Sequence, residues 1–171
     1  MFMNYTLRRW EYEDGPSLMA AADDLMVSRY LRDSFPHPYT EKNALSYIAY
    51  CKNTPDTLDC IRAIEVDGKA VGSISLRFGS DVYQKSAELG YWLAVPFWGK
   101  GIMTRAVAEM VRTGFEEFDL HRIFAEVYAP NGASARVLEK NGFRREGILR
   151  EAVYKNEQYM DLFVYSLLRH H

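Results

Sequence analysis

Between Ala87 and Phe118 the chain passes from an apolar segment to a proline stop, a turn with two glycines and a long amphipathic segment. That succession restricts the fold more than any other stretch. Ala87 to Val95 is dense in aromatic and aliphatic residues, stops at Pro96 and reads as a strand. Gly99-Lys100-Gly101 then opens a helix to about Phe118, because Met103, Ala106, Val107, Met110 and Val111 recur at helical spacing. A helix start presents unpaired backbone N–H groups and the positive end of a dipole, and glycines let a diphosphate approach the chain closely. Lys100 adds positive charge at the rim. The turn matches neither Gly-x-Gly-x-x-Gly nor Gly-x-x-x-x-Gly-Lys-Ser/Thr, and taken alone it reads more simply as a connection that uses glycine for backbone geometry.

A second feature is Asn131-Gly132-Ala133-Ser134, which follows a strand at Arg122–Ala129 and opens a short helix closed by Gly142. Asn131 suits an N-cap, and Ser134, about one turn in, can turn its hydroxyl toward the space beside the glycine-turn helix. A plain cap followed by a solvated serine fits these residues equally well. Elsewhere, Tyr5 to Arg9 reads as a first strand, and Leu18, Ala22, Leu25 and Met26 as the stripe of a helix begun at Glu13-Asp14-Gly15-Pro16-Ser17. The Pro-punctuated segment 33–38 is long enough to wall a pocket, and Thr40-Glu41 caps a second helix through Leu45, Ile48 and Ala49. Leu58–Val66 and Val71–Phe78 form a hairpin about Asp67-Gly68, and Phe143 through Leu168 reads as two further strands. The order β α α β β β α β α β β predicts one domain over 1–171, with a mixed sheet packed by helices.

Composition narrows the function. With 171 residues, 48% hydrophobic and 26% charged, the chain has the make-up of an ordinary soluble domain. Its 21 basic and 23 acidic residues are dispersed, which argues against a nucleic-acid groove or a polybasic membrane anchor. No apolar run approaches the ~20 residues of a spanning helix, and Met1-Phe2-Met3-Asn4 lacks the pattern of a secretion signal, so the cytoplasm is the expected compartment. Cys51 and Cys60 form no Cys-x-x-Cys pair and lie near no His at ligand spacing. They read as reduced, partly buried thiols, and no metal is expected. The terminal His170-His171 reads as a tag remnant.

Three segments carry a resemblance. Ala87-Glu88-Leu89-Gly90-Tyr91-Trp92-Leu93, Trp98-Gly99-Lys100-Gly101-Ile102-Met103-Thr104, and Asn131-Gly132-Ala133-Ser134 through Val137-Leu138-Glu139-Lys140-Asn141-Gly142-Phe143 together resemble the GNAT superfamily of N-acetyltransferases. Within it they are similar to the branch of ribosomal-protein N-terminal (alanine) acetyltransferases, as are Glu146-Gly147 through Asp161 and Tyr165-Ser166-Leu167-Leu168. The resemblance implies an α/β (α+β) fold: a mixed, mostly antiparallel sheet of about seven strands flanked by about four helices. It implies acetyl-CoA as donor, with backbone groups of Leu93, Ala94 and Val95 pairing the pantetheine arm. Amides from Gly99, Lys100, Gly101, Ile102, Met103 and Thr104 would hold the pyrophosphate, Asn131 would bond the cofactor arm, and Ser134 would lie near the sulfur. The resemblance further implies a primary amine or a protein N-terminus as the acceptor, and it leaves a homodimer open. Two departures stand out: the Gln/Arg-x-x-Gly-x-Gly/Ala signature maps to Trp98, Gly101 and Met103, and Leu138 stands where many relatives have a proton-donating Tyr.

Acetyl transfer needs a neutral amine, a polarised thioester oxygen and a proton for the departing thiolate. A lysine-like amine of pKa ~10.4 is neutral about once in ~2,500 at pH 7, costing roughly 4.6 kcal/mol, whereas an α-amine near ~8 costs roughly 1.4 kcal/mol. A weak base or water relay therefore suffices for an N-terminus. Glu88 is the expected base, and Ser134 or Tyr154 the expected acid, with an exposed ion pair as the plain alternative for Glu88. The late-strand carboxylate of some relatives falls at Val153, and strand alternation places Glu151 on Val153's face and Tyr154 on the other. Phe35, Tyr39 and Asp161 are weaker candidates for the acceptor pocket. Arg144, Arg145 and Arg150 read as a solvated strand face, with a nucleotide 3′-phosphate contact as the alternative, and His121 as a cap or surface contact. Competing functions are acetylation of a polyamine or antibiotic amine, and acyl-CoA sensing without turnover.

Overall fold

The computed structural model describes residues 2–170, so Met1 and His171 lie outside the described residues, together with the signal and tag readings that fall on them. Seven strands, β1 (Thr6–Arg8), β2 (Asp59–Val66), β3 (Lys69–Phe78), β4 (Ser86–Leu93), β5 (Arg122–Tyr128), β6 (Arg144–Lys155) and β7 (Gln158–Leu168), form one sheet in the order β1-β2-β3-β4-β5-β7-β6. Every pairing is antiparallel except β4 with β5. That exception follows from connectivity, since α4 (Ile102–Glu116) lies between these two strands in sequence and carries the chain back to the same end of the sheet.

Alternation along the strands divides the interior. Cys60 and Ile64 of β2, with Ile74 and Leu76 of β3, face a core completed by Ile102, Ala106, Val107 and Met110 of α4. Ile61 and Ala63 face the other way, against Leu18 and Ala22 of α1 (Gly15–Ala22) and Ala44 and Ile48 of α3 (Glu41–Asn53). The sheet is thus covered on both faces. The hairpin at Asp67-Gly68 has both residues at positive φ, as a two-residue connection between twisted strands requires. Cys51 and Cys60 are free and buried, and burial pushes their thiols up to about 12 and about 11, too high for a neutral-pH nucleophile.

The first helix is shorter than its stripe suggests. It stops at Ala22, and the Asp24 side chain accepts from the Met26 amide to start a separate turn, α2 (Leu25–Ser28). Consecutive aspartates favour such local side-chain bonds over continued helix, so Leu25 and Met26 are exposed. Leu45 is exposed as well, and Ala44 takes the buried place on α3. In β6 the register shifts between Leu149 and Val153, with Glu151 at φ 51°, so strict alternation across Glu151 to Tyr154 does not hold. Among the described residues no helix is long and apolar enough to cross a membrane, and no group of three or more metal-ligating side chains occurs.

Candidate active site

β4 and β5 pair only over Ser86–Glu88 and Arg122–Phe124. Beyond these residues no ladder is formed between them, and the chain on either side supplies the walls of two cavities. The first, about 380 Å³, is lined by Leu93, by Gly99 to Thr104, and by α5 (Gly132–Lys140), with Asn131 at its start. The second, about 270 Å³, contains Glu88 of β4, Glu126 of β5, Arg77 of β3 and Arg32. Tyr91, Asn131 and Ser134 belong to both.

The first cavity suits an extended anion. Gly101 is the N-cap of α4 at φ 74°, and no side chain among the described residues caps this helix. By contrast α2, α3 and α5 are capped by Asp24, Thr40 and Asn131. The first-turn amides of α4 are therefore left to a ligand or water. Lys100, Arg136 and Lys140 line the same cavity. Arg136 and Lys140 lie four residues apart on the α5 face that also presents Ala133 and Val137. The spacing of this face was readable from the sequence, but not the side of the molecule it would meet. Arg144, Arg145 and Arg150 line neither cavity, and Arg145 lies over the Phe163 ring.

At the junction, the hydroxyls of Tyr91 and Ser134 are 2.8 Å apart, and Tyr91 also lies 3.2 Å from the Ser134 carbonyl. Burial raises the Tyr91 pKa above that of an ordinary phenol, so it stays protonated at neutral pH. Sequence reasoning missed Tyr91 because its partner is 43 residues away. Leu138 is 0% exposed within the core, so this position presents nothing to either cavity.

Glu88 faces the second cavity. One Arg32 nitrogen lies 3.3 Å from its carboxylate and 3.4 Å from that of Glu126. Burial raises the Glu88 pKa above the ordinary carboxylate value, and Glu126 adds to this while Arg32 and Arg77 oppose it.

Not every expected residue reaches the site. Ala94 is buried with its amide donating to the Val71 carbonyl at 2.9 Å, and neither Ala94 nor Val95 lines the donor-side cavity, since β4 ends at Leu93 and Val95–Phe97 forms a 3-10 turn around Pro96. The Leu93 carbonyl accepts from the Trp98 indole at 2.7 Å, so one of its lone pairs is already engaged. Tyr154 is 61% exposed, packs on Tyr159 and lines neither cavity. Asp161 accepts from the Glu151 amide, Tyr39 is core, and Phe35 packs between Tyr39 and Trp92.

A family model, the acetyltransferase (GNAT) domain, matches residues 4–144. YdaF of Bacillus subtilis (strain 168), provisionally named a ribosomal N-acetyltransferase, is 41% identical over 103 residues, covering 60% of this chain and 56% of that protein. The spermidine N(1)-acetyltransferase of Escherichia coli (strain K12) is 27% identical over 164 residues, 96% of this chain and 86% of that one. The solved structure of Mycobacterium smegmatis RimJ in complex with CoA-disulfide superimposes with a TM-score of 0.83 at 25% identity, over 96% of this chain and 81% of that chain. With an uncapped glycine turn, paired cavities and a mixed sheet in this strand order, matched over most of its length by that domain model, the chain belongs to the GNAT family of acetyltransferases.

Proposed function

We propose that the chain is a single-domain cytoplasmic enzyme that transfers the acetyl group of acetyl-CoA to a primary amine, the α-amine of a protein N-terminus being the preferred acceptor. The observation that carries this reading is the meeting of two cavities at the Tyr91–Ser134 hydroxyl pair, one walled by an uncapped helix start and cations, the other holding a carboxylate.

Acetyl-CoA supplies an activated thioester. The amides at the start of α4, with Lys100, Arg136 and Lys140, fit its phosphates. Glu88 accepts the proton of the incoming amine, directly or through one water, as the new N–C bond forms. Ser134 donates a proton to the sulfur as the C–S bond breaks. Tyr91 lies 2.8 Å from the Ser134 hydroxyl in a contact where either oxygen can donate, and so positions the serine; with Tyr91 as the donor, the serine proton is left for the sulfur. Tyr154 takes no part in this scheme.

The likeness to YdaF, provisionally named a ribosomal N-acetyltransferase, and to the ribosomal-protein-serine acetyltransferase of Escherichia coli (strain K12) favours a protein acceptor. The charges of the acceptor cavity favour it too: Arg32 and Arg77 balance Glu88 and Glu126, whereas a polyamine would require a strongly acidic pocket. The likeness to the spermidine enzyme makes a small polyamine the second acceptor to test. Free thiol release from acetyl-CoA across a panel of peptide α-amines, spermidine and aminoglycosides tests the proposal; turnover with peptides supports it, and cofactor binding with no turnover on any acceptor contradicts it. On the accepted substrate, Ser134→Ala lowers kcat roughly 10- to 100-fold and Tyr91→Phe about tenfold, with the KM for acetyl-CoA little changed. Equal loss in kcat/KM for both substrates through KM alone would instead make the pair a binding element.

A further inference from the structure

The segment that follows α2 walls both cavities: Tyr30 and Leu31 line each of them, Arg29 the donor side, Arg32 and Ser34 the acceptor side. It has no regular secondary structure of its own between Arg29 and Thr40. Phe35 against Tyr39 and Trp92, and the Tyr39 amide on Asp23, hold its later part, while a further fastening beside Arg32 comes from the far end of the chain. The Lys155 ammonium donates to the Leu31 carbonyl, 124 residues away in sequence, and lies 3.2 Å from an Asp33 carboxylate oxygen. Lys155 is only 9% exposed. It is the last residue of β6, paired with Gln158 across the Asn156-Glu157 turn, so its backbone is fixed by the hairpin. The two contacts fall immediately before and after Arg32.

Resting on the acetyltransferase reading above, we propose that Lys155 is a positioning residue that clamps the segment on both sides of Arg32 and thereby sets Arg32 as the counter-ion shared by Glu88 and Glu126. Arg32 itself is 60% exposed at the side chain and meets each carboxylate through one nitrogen at 3.3 and 3.4 Å, a geometry too long to hold a flexible side chain unaided. The Asp33 arm of the clamp is a weak ion pair, because that carboxylate is 83% exposed. The bond to the Leu31 carbonyl is the part that fixes the backbone. Glu88 is faced by Arg32 from this segment, Glu126 from β5, Arg77 from β3 and Asp59 from β2. Withdrawing Arg32 leaves a partly buried carboxylate with two acidic neighbours and one cation, so Glu88 keeps its proton to higher pH. Since the base must be ionised to accept the amine proton, the acid limb of kcat/KM moves to higher pH as well.

The test is a titration of Glu88 followed by ¹³C NMR of carboxyl-labelled full-length protein, its resonance assigned by loss in Glu88→Gln, alongside the pH profile of kcat/KM. Lys155→Met and Arg32→Met each raise the Glu88 midpoint, and on the acid limb each lowers kcat/KM about three- to tenfold. The double variant goes no further than Arg32→Met, and Arg32→Lys, which keeps the charge, stays near the wild type. A folded Lys155→Met with the wild-type midpoint, while Arg32→Met shifts it, overturns the clamp; an unshifted Arg32→Met overturns the counter-ion. Should Lys155→Met fail to fold, Lys155→Gln is read in its place by the same criteria. If the midpoints move as stated while no amine supports thiol release, the acetyltransferase reading has failed and the clamp has not.

Discussion

Glu88→Gln lowers kcat/KM for the amine acceptor by roughly 10²- to 10⁴-fold, the range associated with loss of a positioned proton acceptor, and removes the acid limb of the pH profile. Affinity for acetyl-CoA is unchanged, because Glu88 lines only the acceptor-side cavity. The effect on stability runs the other way. The folded-state pKa of Glu88 is raised, chiefly by burial, above its ordinary value. Its ionised form is therefore disfavoured by the fold, and this cost is absent at low pH and appears as pH rises through the interval between the ordinary and the raised value. Glutamine carries no such cost, so at pH 7 the variant unfolds at a temperature no lower than the wild type. A variant that is both inactive and clearly less stable would show that Glu88 serves the fold rather than the reaction, and one with full activity and an intact acid limb would remove it from the mechanism.

Gly101→Val raises the dissociation constant for acetyl-CoA at least tenfold, equivalent to ~1.4 kcal/mol or more. Gly101 sits at φ 74°, where a β-branched residue is strained by about 1–3 kcal/mol. A Cβ there also meets the Phe2 ring at 3.0 and 3.1 Å. Phe2 is exposed and can yield, so the backbone conformation carries most of the effect. The chain relieves it by turning the peptide planes at the start of α4, in the residues that line the donor cavity. Gly99, at φ 71° with nothing within 4 Å of a Cβ, provides a comparison in which strain acts without a steric neighbour. Calorimetric titration of acetyl-CoA into each variant, with circular dichroism to establish that the fold persists, separates lost grip from lost structure. Wild-type affinity in a folded Gly101→Val would remove this turn from the phosphate site.

What could be read from the sequence was local. The glycine turn, the cap at Asn131 and the hairpin at Asp67-Gly68 depend on a few adjacent residues, and each stands where the spacing put it. The strand ahead of the turn ended two residues early because Pro96 sits in a 3-10 turn rather than at the strand terminus. Ser134 and Glu88 were legible as polar residues on elements that border the turn, but what they touch was not. The Tyr91 hydroxyl, the Arg32 bridge between Glu88 and Glu126, and the Lys155 contact with Leu31 all join residues far apart in sequence. Tyr154 lines neither cavity, and the period-2 alternation that set it opposite Val153 assumes a regular strand, which the bulge around Glu151 interrupts. The basic face of α5 became meaningful only once the helix was seen against α4 across the cavity.

Every role assigned above depends on acetyl-CoA binding in the cavity between α4 and α5. Thermal unfolding of the wild-type protein with acetyl-CoA, and in parallel with ATP and NAD at the same concentration, tests it without any assumption about the acceptor. At ~100 times the dissociation constant, binding to the folded state adds about 2.7 kcal/mol, which raises Tm by roughly 5–10 °C for a chain of this length. That rise is expected with acetyl-CoA, and a smaller one with either nucleotide. No rise at millimolar acetyl-CoA, or one matched by ATP or NAD, would contradict it.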